Sequence, residues 1–252
     1  MQGSIVTARD HAMPSAATRQ RGEEVKHLIA RLLGIRLISD IHERASDLNM
    51  RLPSGAKRRR RLDAIRDAGL LFVHIPKNAG MSICQALYAA QIKHASIRYY
   101  LRAAPDLVRA VPSFAVLRDP AERFVSAYRY ARSGGSAENA VAAPFRDRYR
   151  TFGGIDDALN HVATARTLYE VDHIFRPQSW YVTDRHGAVA VDHLLSFADI
   201  GRIAAIVPGA PPIRLGHLNR VSTAQAALLP RHIDRLRTLY AQDYALFDRL
   251  RG

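Results

Sequence analysis

The chain has 252 residues, 48% of them apolar, and a formal charge of +14 from 37 Lys and Arg against 23 Asp and Glu. That is enough for one large α/β domain or a domain with an appendage. Cys84 is the only cysteine, which excludes an intrachain disulfide and a multi-cysteine zinc site and makes a reducing compartment the expectation. No apolar run reaches the roughly 18 residues of a membrane span and Met1 to Arg21 lacks a secretory stretch, so the expected location is cytoplasmic.

The charge raises the local concentration of anionic partners. The basic residues are spread along the chain, however, with Lys57-Arg58-Arg59-Arg60-Arg61 as the one dense run, and no nucleic-acid-binding motif accompanies it. Nucleic acid is therefore not an expected partner.

Residues 1–20, small and polar, read as a disordered lead. From Glu23 to about Ile41, Val25, Leu28, Ile29, Leu32, Leu33 and Ile41 recur at helical spacing between Lys26, Arg31 and Arg36, which predicts a basic amphipathic helix. Asn49 to Arg61, with Pro53-Ser54-Gly55 ahead of the basic run, reads as a linker. A basic N-terminal extension (1–61) is thus expected ahead of a main domain (62–252). Two apolar strands, Leu70 to Ile75 and Ser113 to Leu117, are separated by helical stretches at Ser82–Gln91 and Pro105–Ala110. This alternation predicts a parallel sheet with right-handed crossovers. Asp119 suits an N-cap and Pro120 the first helical position. Gly134 to Gly154 reads as a mobile loop, Ala188 to Phe197 as a strand, Asp199 to Val207 as a helix, and Pro230 to Leu250 as a closing helix.

Each of the first two strands runs into a segment suited to an anion. In His74-Ile75-Pro76-Lys77-Asn78-Ala79-Gly80-Met81-Ser82, Lys77 opens the loop, Gly80 allows close backbone approach, and Ser82 offers amide and hydroxyl at a helix start. The order is not that of a Walker A loop, because the lysine comes five positions before the serine. In Leu117-Arg118-Asp119-Pro120-Ala121-Glu122-Arg123-Phe124-Val125-Ser126-Ala127-Tyr128, Arg118, Arg123 and Ser126 provide a guanidinium fork and a hydroxyl for a second anion.

The pair of segments resembles the signature loops of the sulfotransferases that use 3′-phosphoadenosine 5′-phosphosulfate. The likeness is greatest to the carbohydrate branch, Golgi-type and bacterial. It extends to Lys93-His94-Ala95-Ser96, to Phe175-Arg176-Pro177-Gln178, to Leu215-Gly216-His217-Leu218-Asn219 and to Tyr240 through Phe247, covering residues from about 70 to 248. The family usually carries threonine at the positions of Asn78 and Met81, so adjusted donor binding is expected here.

The resemblance implies an α/β, P-loop-like three-layer fold with a central parallel sheet flanked by helices. It implies that Pro76, Lys77, Asn78, Ala79, Gly80, Met81 and Ser82 hold the 5′-phosphosulfate. Arg118, Arg123 and Ser126 would hold the 3′-phosphate, and Asn219 would add a further contact. The reaction it implies moves the sulfuryl group in line to a hydroxyl or amine of a glycan or glycolipid, with no metal required. Lys77 would neutralise the leaving 5′-phosphate and the transferring sulfate, and His94 would act as the base, since neutral imidazole accepts a proton near pH 7. Glu170, His173 and His217 are the rival bases, and Gln178 and Trp180 candidate borders of the acceptor pocket. A nucleotide-dependent kinase and a non-catalytic binder of anionic glycan or nucleic acid are the alternatives from other classes. The N-terminal helix and basic run can lie on an anionic membrane, which would give a lipid-linked acceptor. Otherwise the helix packs its Leu/Ile face on the catalytic domain.

Overall fold

The computed structural model describes residues 16–136, 139–213 and 228–251. Most of the expected disordered lead, and the segment with His217 and Asn219, lie outside the described residues. Helix α1 (Ala16–Leu32) starts earlier and ends sooner than its periodicity predicts, because Gly34 turns the chain with φ 65°. A 3-10 turn at Ile38–Asp40 then leads into α2 (Ile41–Asp47). Helix α3 (Ala56–Ala68) contains the whole Lys57–Arg61 run, which corrects the linker reading. The packed side of this arginine-rich helix is supplied by Leu62 and Ile65, both buried, and Gly69 ends it in the left-handed region.

Strands β1 (Leu71–Phe72), β2 (Ser113–Leu117) and β3 (His193–Ser196) form a parallel sheet in the order β1-β2-β3. The register pairs Leu71 with Ser113, and Phe114 to Leu117 with His193 to Ser196. Helices α4 (Gly80–Tyr88), α5 (Ile97–Ala103) and α6 (Pro105–Ala110) make the first crossover. The second contains α7 (Pro120–Arg132), α8 (Ala143–Arg150), α9 (Ile155–Ala163) and α10 (Gln178–Val182), with α11 (Ile203–Ile206), α12 (Pro230–Leu239) and α13 (Ala241–Arg249) following β3. All five residues of β2 are buried, as a parallel strand covered on both faces requires. Asp192 fixes the start of this pairing by accepting bonds from the Ser113 amide (2.8 Å) and hydroxyl (2.7 Å).

The expected start of α7 is observed: Asp119 accepts a bond from the Glu122 amide and Pro120 is the first helical residue. The stretch expected as a loop over the site contains helix α8, whose Phe145 and Tyr149 are buried with Phe124, Phe175, Leu236 and Tyr240 in a second apolar cluster. The chain's closing helix is two, α12 and α13, bent at Tyr240.

The N-terminal residues enter both clusters, Ile35 and Ile41 beside the sheet and Leu37 in the second. More unexpectedly, Asp40, Glu43 and Asp47 turn inward. Buried Asp40 pairs with fully buried Arg176, Glu43 accepts bonds from the Ser96 amide and hydroxyl, and Asp47 pairs with Arg98 and accepts a bond from the Tyr169 hydroxyl. Burial pushes the Asp40 carboxyl up, but its bonds to His173 and Arg176 outweigh that and hold it at about 2. Arg176 is therefore a structural partner of the N-terminal segment.

Candidate functional site

The loop after β1 stores backbone strain at two non-glycine residues, Lys77 (φ 70°) and Ala79 (φ 58°). Each costs about 1–2 kcal/mol and persists only if neighbours over-determine it. Two anchors do so. Arg123 Nε donates to the Pro76 carbonyl at 3.1 Å, and buried Asn78 donates through Nδ2 to Val116 O and Gln178 Oε1, both at 2.7 Å. Asn78, between the two strained residues, has ordinary negative φ. Such alternation turns successive amides to one side, as in an anion-binding nest.

Ala79 caps α4 without any side-chain hydrogen bond, leaving the first-turn amides of Gly80, Met81 and Ser82 uncapped. Residues 77–82 make no well-aligned bond from backbone N–H to a backbone carbonyl among the described residues. At Gly80 a Cβ would collide with the His74 imidazole, a reason for glycine that the sequence alone does not reveal. The glycine makes room for a protein ring, while the positive-φ positions belong to its neighbours. Met81 touches the turn after α7, where Asn139 Nδ2 lies 3.5 Å from its Sδ.

Three cations approach this loop. Lys77 Nζ lies 4.2 Å from the centre of the Tyr130 ring. Burial, with the charges of Arg118 and Arg123 nearby, pushes its ammonium down to about 8. Arg118 stacks on Phe197 at 5.0 Å and bonds Glu122 at 3.2 Å. Arg123 is only 3% exposed and, apart from its bond to Pro76, leaves a buried Nη2 without a partner. A buried, half-satisfied guanidinium beside the depressed ammonium of Lys77 is an arrangement that an anion would stabilise. Ser126, half-buried, lies one turn after Arg123 on α7.

Gln178 joins the two loops. Its Oε1 accepts from Asn78 Nδ2 (2.7 Å) and the Arg118 amide (3.0 Å), and its Nε2 donates to Arg118 O (2.8 Å). Asp243 in turn accepts from the amides of Gln178 and Ser179 at 2.7 and 2.8 Å. The expected acceptor-border residue is thus a brace, and Trp180 is core, buried against Tyr169 and Tyr181.

A histidine group adjoins the cations. His94 Nδ1 lies 3.2 Å from His74 O. A carbonyl only accepts, so Nδ1 carries the proton and Nε2 keeps its lone pair. Desolvation, then the nearby His74 and His173, hold His94 well below 6.5, with Arg123 adding a smaller push. It is neutral at pH 7. Its tether, His74, precedes Lys77 by three residues, so the base candidate lies within about 10 Å of the Lys77 backbone at the contacted carbonyl. The His94 ring packs on His74 at 4.1 Å and faces His173 at 5.9 Å. His173 Nε2 is bonded to Asp40 at 2.7 Å. Asp40 is the residue that sequence reasoning missed here. Glu170, by contrast, only closes a local turn by accepting from the Arg166 amide.

Two cavities, of about 360 Å³ beside Arg148, Asp157 and His161 and about 670 Å³ beside Arg51, Arg59 and Arg66, lie away from these loops. No group of three His, Cys, Asp or Glu suited to a metal ion occurs among the described residues. Comparison with protein-family models, with curated proteins and with solved structures finds no match for this chain.

The depressed ammonium of Lys77 gives a first prediction. An anion seated on it would restore its higher pKa, so binding above pH 8 requires proton uptake. Affinity for a nucleotide phosphate is expected to be level below about pH 8 and to fall by up to tenfold per pH unit above it. Calorimetry in two buffers of different ionisation enthalpy measures that uptake, and a pH-independent affinity from 7 to 9 would take Lys77 out of the contact.

Proposed function

We propose that this chain is a sulfotransferase that moves the sulfuryl group of 3′-phosphoadenosine 5′-phosphosulfate to a hydroxyl or amine of a glycan or glycolipid. The observation that carries the reading is the convergence of Lys77, Arg118 and Arg123 on a strained loop with uncapped amides, with one of the three buried and incompletely bonded. A small parallel sheet among helices, with helix starts after β1 and β2, supports the reading of a P-loop-like three-layer fold, in which ligands would sit beyond the carboxyl ends of the strands.

In this reading the amides of residues 77–82 and the Lys77 ammonium receive the 5′-phosphosulfate, and the Asn78 side chain holds the loop in shape instead of touching the donor. Arg118 and Ser126 receive the 3′-phosphate. Arg123 supplies charge from beneath both. As in phosphoryl transfer, position and charge stabilisation provide most of the rate. The oxygen of the acceptor attacks sulfur as the bond from sulfur to the bridging phosphate oxygen breaks. His94 Nε2 takes the acceptor proton, and Lys77 offsets the charge gathering on the departing phosphate. Two carboxylates close to the cations, Glu122 and Asp119, already have partners in Arg118 and the Glu122 amide, respectively.

The test is a titration with adenosine 3′,5′-bisphosphate, adenosine 5′-monophosphate and ATP with Mg²⁺. The bisphosphate is expected to bind at least about tenfold more tightly than the monophosphate, one charge-assisted contact being worth about 1.5–3 kcal/mol. Arg118→Ala should erase that preference with the melting temperature unchanged. Equal binding of the two adenosine phosphates would refute the 3′ assignment, and a preference for ATP with Mg²⁺ would favour the kinase reading.

A further inference from the structure

Helix α1 answers a question the sequence leaves open. Val25 (51% exposed), Leu28 (58%), Ile29 (37%) and Leu32 (79%) stand in solvent, although their spacing of 3, 1 and 3 residues aligns them in one stripe. Residues 24–29, 31 and 32 are exposed, and Ala30 alone of residues 24–32 is buried. The reading in which this helix lays its Leu/Ile face on the catalytic domain holds for Leu33 and Ile41, which pack on the core, and fails for the other four. Contact with the body begins only at the end of the helix, through Ala30, Leu33 and Ile35.

At about 100° per residue, Lys26 falls on one flank of the stripe and Arg31 on the other, where exposed Glu24 also lies, between Arg31 and Leu28. A central apolar band with one basic edge and one mixed edge, followed by exposed Arg36 just after the helix, leaves the exposed part of this segment net positive, as a boundary with acyl chains below and anionic headgroups at the sides favours. A second copy of the chain also carries a net charge of +14, so overall charge favours an anionic partner over self-association. The helix has 17 residues, about 25 Å, and no helix among the described residues is long and apolar enough to cross a membrane.

We propose that α1 docks the protein on an anionic membrane surface, its Val25, Leu28, Ile29 and Leu32 stripe entering the interface and its flanking cations meeting lipid phosphates. This stands independently of the sulfotransferase reading. If both hold, the acceptor class narrows to glycans carried on lipid.

The experiment is co-sedimentation of the full chain with vesicles of phosphatidylcholine alone or mixed with phosphatidylglycerol. Pelleting with the anionic vesicles at low salt is expected, reduced at high salt and weak with the neutral vesicles. Leu28→Glu combined with Leu32→Glu should lose most of the bound fraction while keeping the wild-type melting temperature, since both side chains are exposed. A Leu28→Trp chain gives a readout that does not rely on loss, because brominated lipid should quench its added fluorescence. No pelleting at low salt, equal binding to neutral vesicles, unaltered binding of the double variant, or absence of quenching would each overturn the proposal. So would a dimer in sedimentation velocity that the double variant abolishes, which would make the stripe a self-association face.

Discussion

Under the proposed function, replacing Lys77 with alanine is expected to lower kcat for sulfuryl transfer by about 10²–10³-fold, the loss typical of a single donor aimed at transition-state charge and about 2.7–4 kcal/mol. The fold should survive. Apart from the charges around it, the side chain has one described contact, the face of Tyr130, and alanine tolerates the positive φ about as poorly as lysine does. The substitution removes a cation held near pKa 8 by burial and by Arg118 and Arg123. In the resting protein that charge is unfavourable, and in the proposed reaction it would be offset by the sulfate and phosphate oxygens and by the negative charge moving onto the bridging oxygen. Ground-state and transition-state roles separate in the kinetics. A raised KM with unchanged kcat would make Lys77 a donor-binding residue only, and near-normal turnover at saturating donor would remove it from the mechanism.

The parts of this site that sequence disclosed are those whose physics is local. Asp119 before Pro120 favours a helix start by local geometry, and the five-residue apolar run Ser113 to Leu117, too short for a buried helix and ended by Asp119-Pro120, suits a strand covered on both faces. The two loops were legible because cation, small residue and hydroxyl recur at a strand end. What escaped depends on partners far along the chain. Gln178 bonds Asn78 at a separation of 100 residues and Arg118 at 60, so nothing beside it announces a brace. Helix α8 was hidden by its arginines, although Phe145 and Tyr149 stand four apart on one face.

Asp40, Glu43 and Asp47 form the clearest missed signal. Their spacing puts three carboxylates on one side of a short helical segment within the most basic part of the chain. That pattern fits a segment turned toward the protein's own Arg98, Ser96 and Arg176 better than it fits a free basic arm. Breaking the Asp40–Arg176 pair would leave a charge buried at a cost of about 3–5 kcal/mol. The region around residues 35–47 is consequently a support of the His94 and His173 pair, and only α1 ahead of it stands apart.

His94→Ala is expected to reduce kcat by about 10²–10⁴-fold, the range of general-base catalysis, with the affinity for adenosine 3′,5′-bisphosphate unchanged. The base must be unprotonated to act, so the rate falls as pH drops through its pKa. For His94, which burial and its histidine neighbours hold well below 6.5, the rate should stay level through neutrality and fail only in the acid range. The variant should lose that acid limb together with the rate. His173 is the competing base, and its geometry makes a different claim. Its Nε2 is committed to Asp40, so only Nδ1 is free, and Asp40 would hold the ring in one tautomer as the carboxylate of a catalytic triad does. Should His94→Ala keep the wild-type profile while His173→Gln abolishes turnover without loss of melting temperature, the proton passes to His173 Nδ1. His94 would then be a ring that packs between His74 and His173.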